Sequence, residues 1–292
     1  MRAYLPSYEL VVPRTLAEAL ALLREEPGVW RPFAGGTDLM VLLEAGRLEQ
    51  RKFFSIAHLK ELRGVEESGE FVSVGALTTY TDVRRSETIA REFPMLVEAA
   101  RETGGVAIQN RGTVGGNIAN ASPAADTPPA LLAYGAEVEL VSSGGTRSVD
   151  YAEFHTGYRQ TVMRADELIA RVRLRRPRAG ARHFYRKVGT RRAQAISKVC
   201  FAGLAESEGA VLKEVRIALG SVAPVPLRCR RTEELLTGKN VDEELKSAAL
   251  EEIAREIAPI DDIRSTARYR ARVAQNLLGE FLSNIIGDSL HA

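Results

Sequence analysis

Two cysteines, Cys200 and Cys229, are all that this chain of 292 residues contains. Their spacing fits no zinc or redox motif, and each reads as a buried thiol packed like a small hydrophobe. The four histidines, His58, His155, His183 and His291, are scattered and suggest no metal site. No stretch approaches the ~20 apolar residues of a membrane span. The opening MRAYLPSYELVVPRT sets polar residues and prolines where a secretory leader needs an apolar run. Together with the scarcity of cysteine, this predicts a protein of the reducing cytoplasm, with a peripheral place at the inner membrane face left open. The net charge of +2 is too small to imply a polyanionic partner by itself.

What is present is ordinary for a globular protein. Hydrophobic residues make up 45% and charged residues 27%, and a chain of this length buries a full core without disulfides or metals. Charge is unevenly spread, however. Between Arg159 and Lys198 there are 13 Lys or Arg against Asp166 and Glu167, a local charge of +11 that leaves −9 for the rest. No nucleic-acid module or aromatic interleaving accompanies it, so an anionic cofactor or a partner subunit is the more economical reading than nucleic acid.

Periodicity predicts alternating short strands and helices. YELVV (8–12) reads as a strand, and Thr15-Leu16-Ala17-Glu18 matches a capping box that starts a helix running to about Glu26. Strands are expected at 30–34 and 52–57, with a short helix at 39–44. A second α/β stretch follows, with strands at 70–76, 136–142 and 167–174 and helices at 79–92 and 94–103. Ser143-Gly144-Gly145-Thr146 reads as a hairpin turn. Beyond Pro177 the texture changes to three antiparallel strands (183–188, 196–206, 215–221) and three helices (230–236, 241–258, 266–284). The expected class is α+β, divided as 1–57, 58–176 and 177–292.

Two glycine-rich turns stand out. Phe33-Ala34-Gly35-Gly36-Thr37-Asp38-Leu39 runs from strand to helix. Such a turn either caps its helix with Thr37 or Asp38, or forms a nest of backbone N–H groups that binds an anion. It is neither a P-loop nor a G-x-G-x-x-G fingerprint. The second, Thr113-Val114-Gly115-Gly116-Asn117, is equally ambiguous alone. Two phosphates need two sets of donors, and a dinucleotide held across two subdomains would use one turn from each. Asp126, nine residues after Asn117, either accepts from a ribose hydroxyl or other ligand donor, or caps the helix after Pro128-Pro129, as Thr127 also could. In Leu168–Arg175 the even positions are apolar and face a core. Ile169 then lies on the arginine face, either under a ligand or simply exposed.

FAGGTDLM together with NRGTVGGNIANASPAAD resembles the FAD-binding medium subunit of the molybdenum hydroxylases, of the carbon monoxide dehydrogenase and xanthine dehydrogenase types. The likeness continues through FYRKVGTRRAQAISKV (184–199) and DDIRSTARYRARVAQNLL (261–278), so it spans most of the chain in order. It implies a two-subdomain FAD-binding domain of the vanillyl-alcohol oxidase-like (PCMH) kind. A small C-terminal domain with a three-stranded antiparallel sheet and a helical bundle would follow. Ala34, Gly35, Gly36, Thr37, Asp38 and Leu39 match the first FAD loop, and Thr113, Val114, Gly115, Gly116 and Asn117 match the second. Asp126 matches an acidic residue that contacts the cofactor, Ile169 an apolar residue near the flavin, and Lys187 a lysine that reaches FAD. Thr103 stands where xanthine dehydrogenase-like members place an aromatic against the flavin. An additional iron–sulfur cluster, as in the benzoyl-CoA reductase type, needs about four cysteine ligands and is excluded by two distant ones.

The resemblance also implies an electron-transfer role. A large molybdenum-cofactor subunit would oxidise the substrate, and a small subunit with two [2Fe–2S] clusters would pass electrons to FAD here, as a dimer of heterotrimers. No separate acid–base or nucleophile constellation appears in the sequence, and no catalytic residue or metal ligand is assigned. Two alternatives stay open. One is a stand-alone FAD oxidoreductase of the vanillyl-alcohol oxidase type, and the other is a flavin-free interaction subunit.

Overall fold

Proline and glycine cut the N-terminal part of the chain into short pieces. Strand β1 (Glu9–Val11) stops before Pro13, and Thr15 then caps helix α1 (Leu16–Glu25), its hydroxyl accepting the Glu18 N–H at 3.2 Å. The Glu18 carboxylate reaches back to the Arg14 N–H at 2.7 Å, one residue before the partner expected of a capping box. Strand β2 (Arg31–Phe33), helix α2 (Leu39–Glu44) and strand β3 (Lys52–Ser55) complete a parallel sheet of order β1-β3-β2. Leu20, Leu23, Trp30 and Phe54 form its core. The computed structural model describes residues 7–191, 193–208 and 211–289.

The middle of the chain builds an antiparallel sheet with helices on one side. Its strands are β4 (Val65–Ser68), β5 (Phe71–Gly75), the hairpin β6 (Glu137–Ser142) and β7 (Gly145–Asp150), and later β10 (Leu168–Arg175), in the order β4-β5-β10-β6-β7. A small hairpin, β8 (His155–Gly157) and β9 (Gln160–Thr161), stands apart from it. The helices are α3 (Tyr80–Arg85), α4 (Glu87–Glu92), α5 (Pro94–Glu102), α6 (Val106–Gln109), α7 (Val114–Asn120), α8 (Pro128–Ala133) and α9 (Tyr151–Phe154). A single helix is expected over 79–92. It divides because Ser86 leaves the helical region (ψ 116) and caps α4 through its hydroxyl.

Strand β10 corrects the expectation for Ile169. The pairing of β10 with β6 carries a bulge between Ile169 and Arg171. An extra residue shifts which side chains share a face. Ile169 therefore joins Val172 and Leu174 in the main core, 6% exposed, while Leu168 and Ala170 turn to the first sheet's core. It is not an apolar residue stranded on the arginine face.

The C-terminal third forms β11 (Arg182–Val188), β12 (Val199–Glu208), β13 (Val211–Gly220) and β14 (Leu227–Arg228), consecutive in one antiparallel sheet. The expected three strands become four, because β14 is a two-residue pairing too short to leave a periodic pattern. Helices α10 (Arg230–Leu236), α11 (Glu243–Glu256) and α12 (Ala267–Ser289) cover one face around Phe201, Leu219, Leu278 and Phe281. Cys200 and Cys229 are both free and buried. No helix among the described residues is long and apolar enough to cross a membrane.

The basic segment finds its missing acids in this packing. Arg171 pairs with Glu66 and Glu139, Arg173 with Glu137, Arg175 with Glu70, and Arg176 with Glu67 and Glu92. Arg178 meets Glu206, Arg186 meets Glu280, and Lys187 meets Asp126. Strand β10 thus lays its arginines between acidic neighbours, and the surplus charge of 159–198 is answered locally by the deficit elsewhere.

Candidate functional site

A cavity of about 510 Å³ lies between the parallel sheet and the helices of the middle group. That size suits a small-molecule or cofactor site. Gly35 to Leu39 line one side, and Thr113, Gly115, Gly116 and Asn117 line the other, with Thr103, Ile108 and Ile169 also at the wall. The structure therefore brings together most of the residues singled out by sequence, from turns 74 residues or more apart.

The first turn is open. The backbone N–H groups of Gly35, Gly36, Thr37, Asp38 and Leu39 have no acceptor among the described residues, and Asp38 makes no side-chain cap to α2. Successive free donors in a turn make an anion-binding concavity. Both glycines are required by geometry. A Cβ on Gly35 would strike the Arg111 carbonyl oxygen, and Gly36 sits at φ +73 with the Phe33 ring 2.5 Å from where its Cβ would be. Arg111 fastens the two turns together, its Nε donating to the Gly35 carbonyl at 3.2 Å.

The second turn is closed. Thr113 is the N-cap of α7, its hydroxyl accepting the Gly116 N–H at 3.1 Å. The Val114 N–H donates to the Thr78 carbonyl at 3.0 Å, Gly115 to Ala76 at 2.8 Å, and Asn117 to Thr113 at 3.0 Å. Gly115 is needed because α7 lies on the strand end, and an added Cβ would stand 2.6 Å from that of Ala76. The expectation of two sets of free donors is thus corrected. Fold contacts consume the amides of 114–117, and this side offers the cavity side chains and close backbone rather than a second nest. Val114 itself turns into the core and is absent from the cavity wall.

Asp126 and Lys187 do not line the cavity. They face each other behind it, Lys187 Nζ donating to Asp126 Oδ2 at 2.8 Å and to the Glu102 carbonyl at 2.8 Å. Ser197 Oγ donates to the other Asp126 oxygen at 2.6 Å. Burial pushes the Asp126 carboxyl up from the usual range, against the opposing pull of Lys187. Neither Asp126 nor Thr127 caps α8 through its side chain; Thr127 Oγ1 instead donates to Asn117 Oδ1 at 2.6 Å. The residue touching the cavity from this corner is Thr103, next to Glu102, whose hydroxyl is bonded to the Ala99 carbonyl at 2.7 Å.

Sequence reasoning missed the cluster around Glu167, which lines the cavity with Arg164. The buried Glu167 carboxylate accepts from Arg147 Nε and Nη2 at 2.6 and 2.9 Å, and from the Arg164 N–H and Nε at 2.7 and 2.9 Å. The Arg147 hydrogen bonds, ahead of those from Arg164, hold its carboxyl at about 2. The only local signal was an acid three residues after Arg164, next to Asp166; the main partner, Arg147, is twenty residues away.

The family profile described as the FAD binding domain in molybdopterin dehydrogenase matches residues 6–177. The profile of the CO dehydrogenase flavoprotein C-terminal domain matches residues 183–285. The glyceraldehyde dehydrogenase medium chain of Sulfolobus acidocaldarius is 31% identical over 274 residues, covering 94% of this chain and 96% of the relative. The xanthine dehydrogenase FAD-binding subunit of Escherichia coli O157:H7 is 30% identical, covering 93% and 94%. Among solved structures, carbon monoxide dehydrogenase from Hydrogenophaga pseudoflava superposes with a TM-score of 0.92 at 29% identity, covering 95% of this chain and 96% of that one. Profile, sequence and fold converge over nearly the whole length: this chain belongs to the family of FAD-binding medium subunits of the molybdenum hydroxylases, and is an oxidoreductase subunit.

Proposed function

We propose that this chain carries FAD as the electron-transfer subunit of a molybdenum-containing hydroxylase or dehydrogenase complex. Its partners are a large molybdenum-cofactor subunit and a small [2Fe–2S] subunit, assembled as a dimer of heterotrimers. Bound at residues 34–39 and 113–117, FAD would supply the redox chemistry by which electrons from an iron–sulfur partner could reach an external acceptor. The carrying observation is the row of five acceptor-less N–H groups from Gly35 to Leu39 on the wall of the cavity. A diphosphate satisfies such a row with its oxygens, and the charge is met by fixed backbone dipoles without reorganisation.

The chain's own residues then have distinct tasks. Residues 34–39 hold the diphosphate, with Thr37 adding a hydroxyl. Gly115, Gly116 and Asn117 close the opposite wall. Ile169 supplies an apolar contact and Thr103 a small side chain at the wall, and Arg164, held by Glu167, adds a cation at the edge. Asp126 and Lys187 brace the fold behind the cavity, Lys187 reaching the Glu102 carbonyl. The substrate is oxidised on the large subunit, so none of these residues performs acid–base work.

The test is an FAD titration of the purified apo-protein, followed by flavin absorbance and fluorescence. One FAD per chain is expected, with roughly 5- to 30-fold weaker binding for Gly36→Ala, whose φ of +73 an L side chain adopts at a cost of ~1–2 kcal/mol. A colourless chain that takes up no FAD overturns the reading. A chain that binds FAD and oxidises substrate without any molybdenum subunit would make it a stand-alone oxidoreductase instead.

A further inference from the structure

The segment DDIRSTARYR (261–270) contributes nothing to the cavity, yet it is one of the most tightly fastened turns in the molecule. Asp262 Oδ1 accepts from the N–H groups of Arg264 and Ser265 at 2.8 and 3.0 Å and from Arg270 Nη2 at 2.7 Å. Its own N–H donates to the Ser265 carbonyl at 3.0 Å. Arg270 is only 4% exposed, and its Nη1 donates to the Ser221 carbonyl at 3.0 Å. Ser221, held at φ 67, donates through Oγ to the Ser197 carbonyl at 2.9 Å, and Ser197 in turn donates to Asp126. A continuous chain of hydrogen bonds therefore ties this turn to the interior beside the cavity.

The tip of the turn is Ile263, 99% exposed, with Ile260 at 66% on its shoulder. Turn tips favour Gly, Asn, Asp or Ser, and a branched aliphatic side chain gains nothing from standing in water on a rigid mount. On the first turn of α12, Tyr269 is also exposed, with Lys198 Nζ 5.0 Å above its ring. The rim is basic. Arg268 and Arg272, one turn apart on α12, have no carboxylate partner among the described residues, in contrast to Arg171, Arg173, Arg175, Arg176 and Arg178. A rigid apolar anchor within a polar rim is the anatomy of a binding hot spot, because little side-chain or loop freedom remains to be lost on association.

We propose that residues 260–265 and the first turns of α12 form the docking surface for another subunit of the complex. The occupant is a different protein with an apolar socket for Ile263 rimmed by carboxylates that meet Arg268 and Arg272. A second copy of this chain is disfavoured by charge, since a two-fold contact would set the same arginines against each other. The proposal rests on the reading of this chain as a complex-forming subunit.

The test uses the full-length tagged chain recovered with its co-expressed molybdenum and iron–sulfur subunits. Hydrogen exchange at 260–272 is compared between the complex and the isolated chain, and subunit stoichiometry is measured by native mass spectrometry. At least 10-fold slower exchange at 260–272 in the complex is expected. Ile263→Asp and the double variant Arg268→Glu/Arg272→Glu should each cut recovered complex at least 10-fold with flavin per chain unchanged. Ile263→Leu and the distant exposed control Val12→Asp should assemble normally. Equal exchange in both states, or full assembly of Ile263→Asp, overturns the docking surface while leaving the subunit reading intact. A chain that assembles with no other subunit overturns both, and a discrete homodimer protected at 260–272 overturns the heterologous occupant. Because the exchange comparison uses the unaltered chain, it stands even where a variant fails to fold.

Discussion

Gly35-Gly36 precedes α2, Gly115-Gly116 sits in the first turn of α7, and both line the same cavity, yet the amides around them are in opposite states. From Gly35 to Leu39 every N–H lacks an acceptor among the described residues. From Val114 to Asn117 every N–H is taken, by Thr78, Ala76 and Thr113. The glycines differ in the same way. Gly36 supplies a left-handed conformation and Gly35 a close backbone crossing, which together shape an open nest. Gly115 supplies the clearance that lets α7 rest on Ala76. Glycine pairs beside a cofactor therefore serve two separate ends: one turn binds, and the other is the wall it binds against.

The largest effect should come from behind the closed side. Lys187→Met leaves Asp126 buried opposite an apolar group, with only Ser197 to satisfy it. Breaking a buried pair in this way costs about 3–5 kcal/mol. Urea unfolding of the apo-protein should show that loss, while FAD affinity per folded chain stays within about 2-fold, or ~0.4 kcal/mol. A loss of affinity with unchanged stability would instead make Lys187 a direct ligand and move it across the comparison.

Next in size is Gly115→Val. Its side chain would meet the Ala76 Cβ at 2.6 Å and the Ala76 carbonyl oxygen at 2.9 Å, forcing α7 away from the strand end. Overpacking at such a contact costs about 3 kcal/mol, the upper part of the usual range. Thermal melting of the flavin-free chain is the readout, with a drop expected before any cofactor is added. An unchanged melting temperature with lost FAD binding would show that Gly115 serves the ligand after all.

These distinctions mark where the sequence stops being legible. Helix α2 was predictable to its ends, Leu39 and Glu44, because glycines and a polar pair punctuate it. Helix α10 was equally clear at Arg230–Leu236. The bulge in β10 was not, since nothing local marks the residue at which alternation slips, and Ile169 consequently changes face. Strands β8, β9 and β14 have two or three residues each, shorter than any readable period. In the site, both glycine turns were visible, but the state of their amides was not, because the acceptors Ala76 and Thr78 lie some forty residues upstream. The same limit applies to Asp126 and Lys187, two charges 61 residues apart that neutralise each other.

The finest test compares two threonines that differ only in side. Thr37 lines the cavity, and its hydroxyl has no partner among the described residues. Thr113 also lines the cavity, but its hydroxyl accepts the Gly116 N–H and caps α7. Valine replaces threonine with nearly the same shape, so each substitution removes a hydroxyl and little else. At Thr37 the lost hydroxyl should weaken FAD binding by about 1 kcal/mol, roughly 5-fold, with the melting temperature of the apo-protein unmoved. At Thr113 the lost cap should lower stability by about 1 kcal/mol in the absence of FAD. Fluorescence titration and apo-protein melting separate the two outcomes on the same pair of variants. If both lose affinity alone, the second turn is a donor set in its own right. If both lose stability alone, the first turn is punctuation for α2, and its row of open amides faces only water.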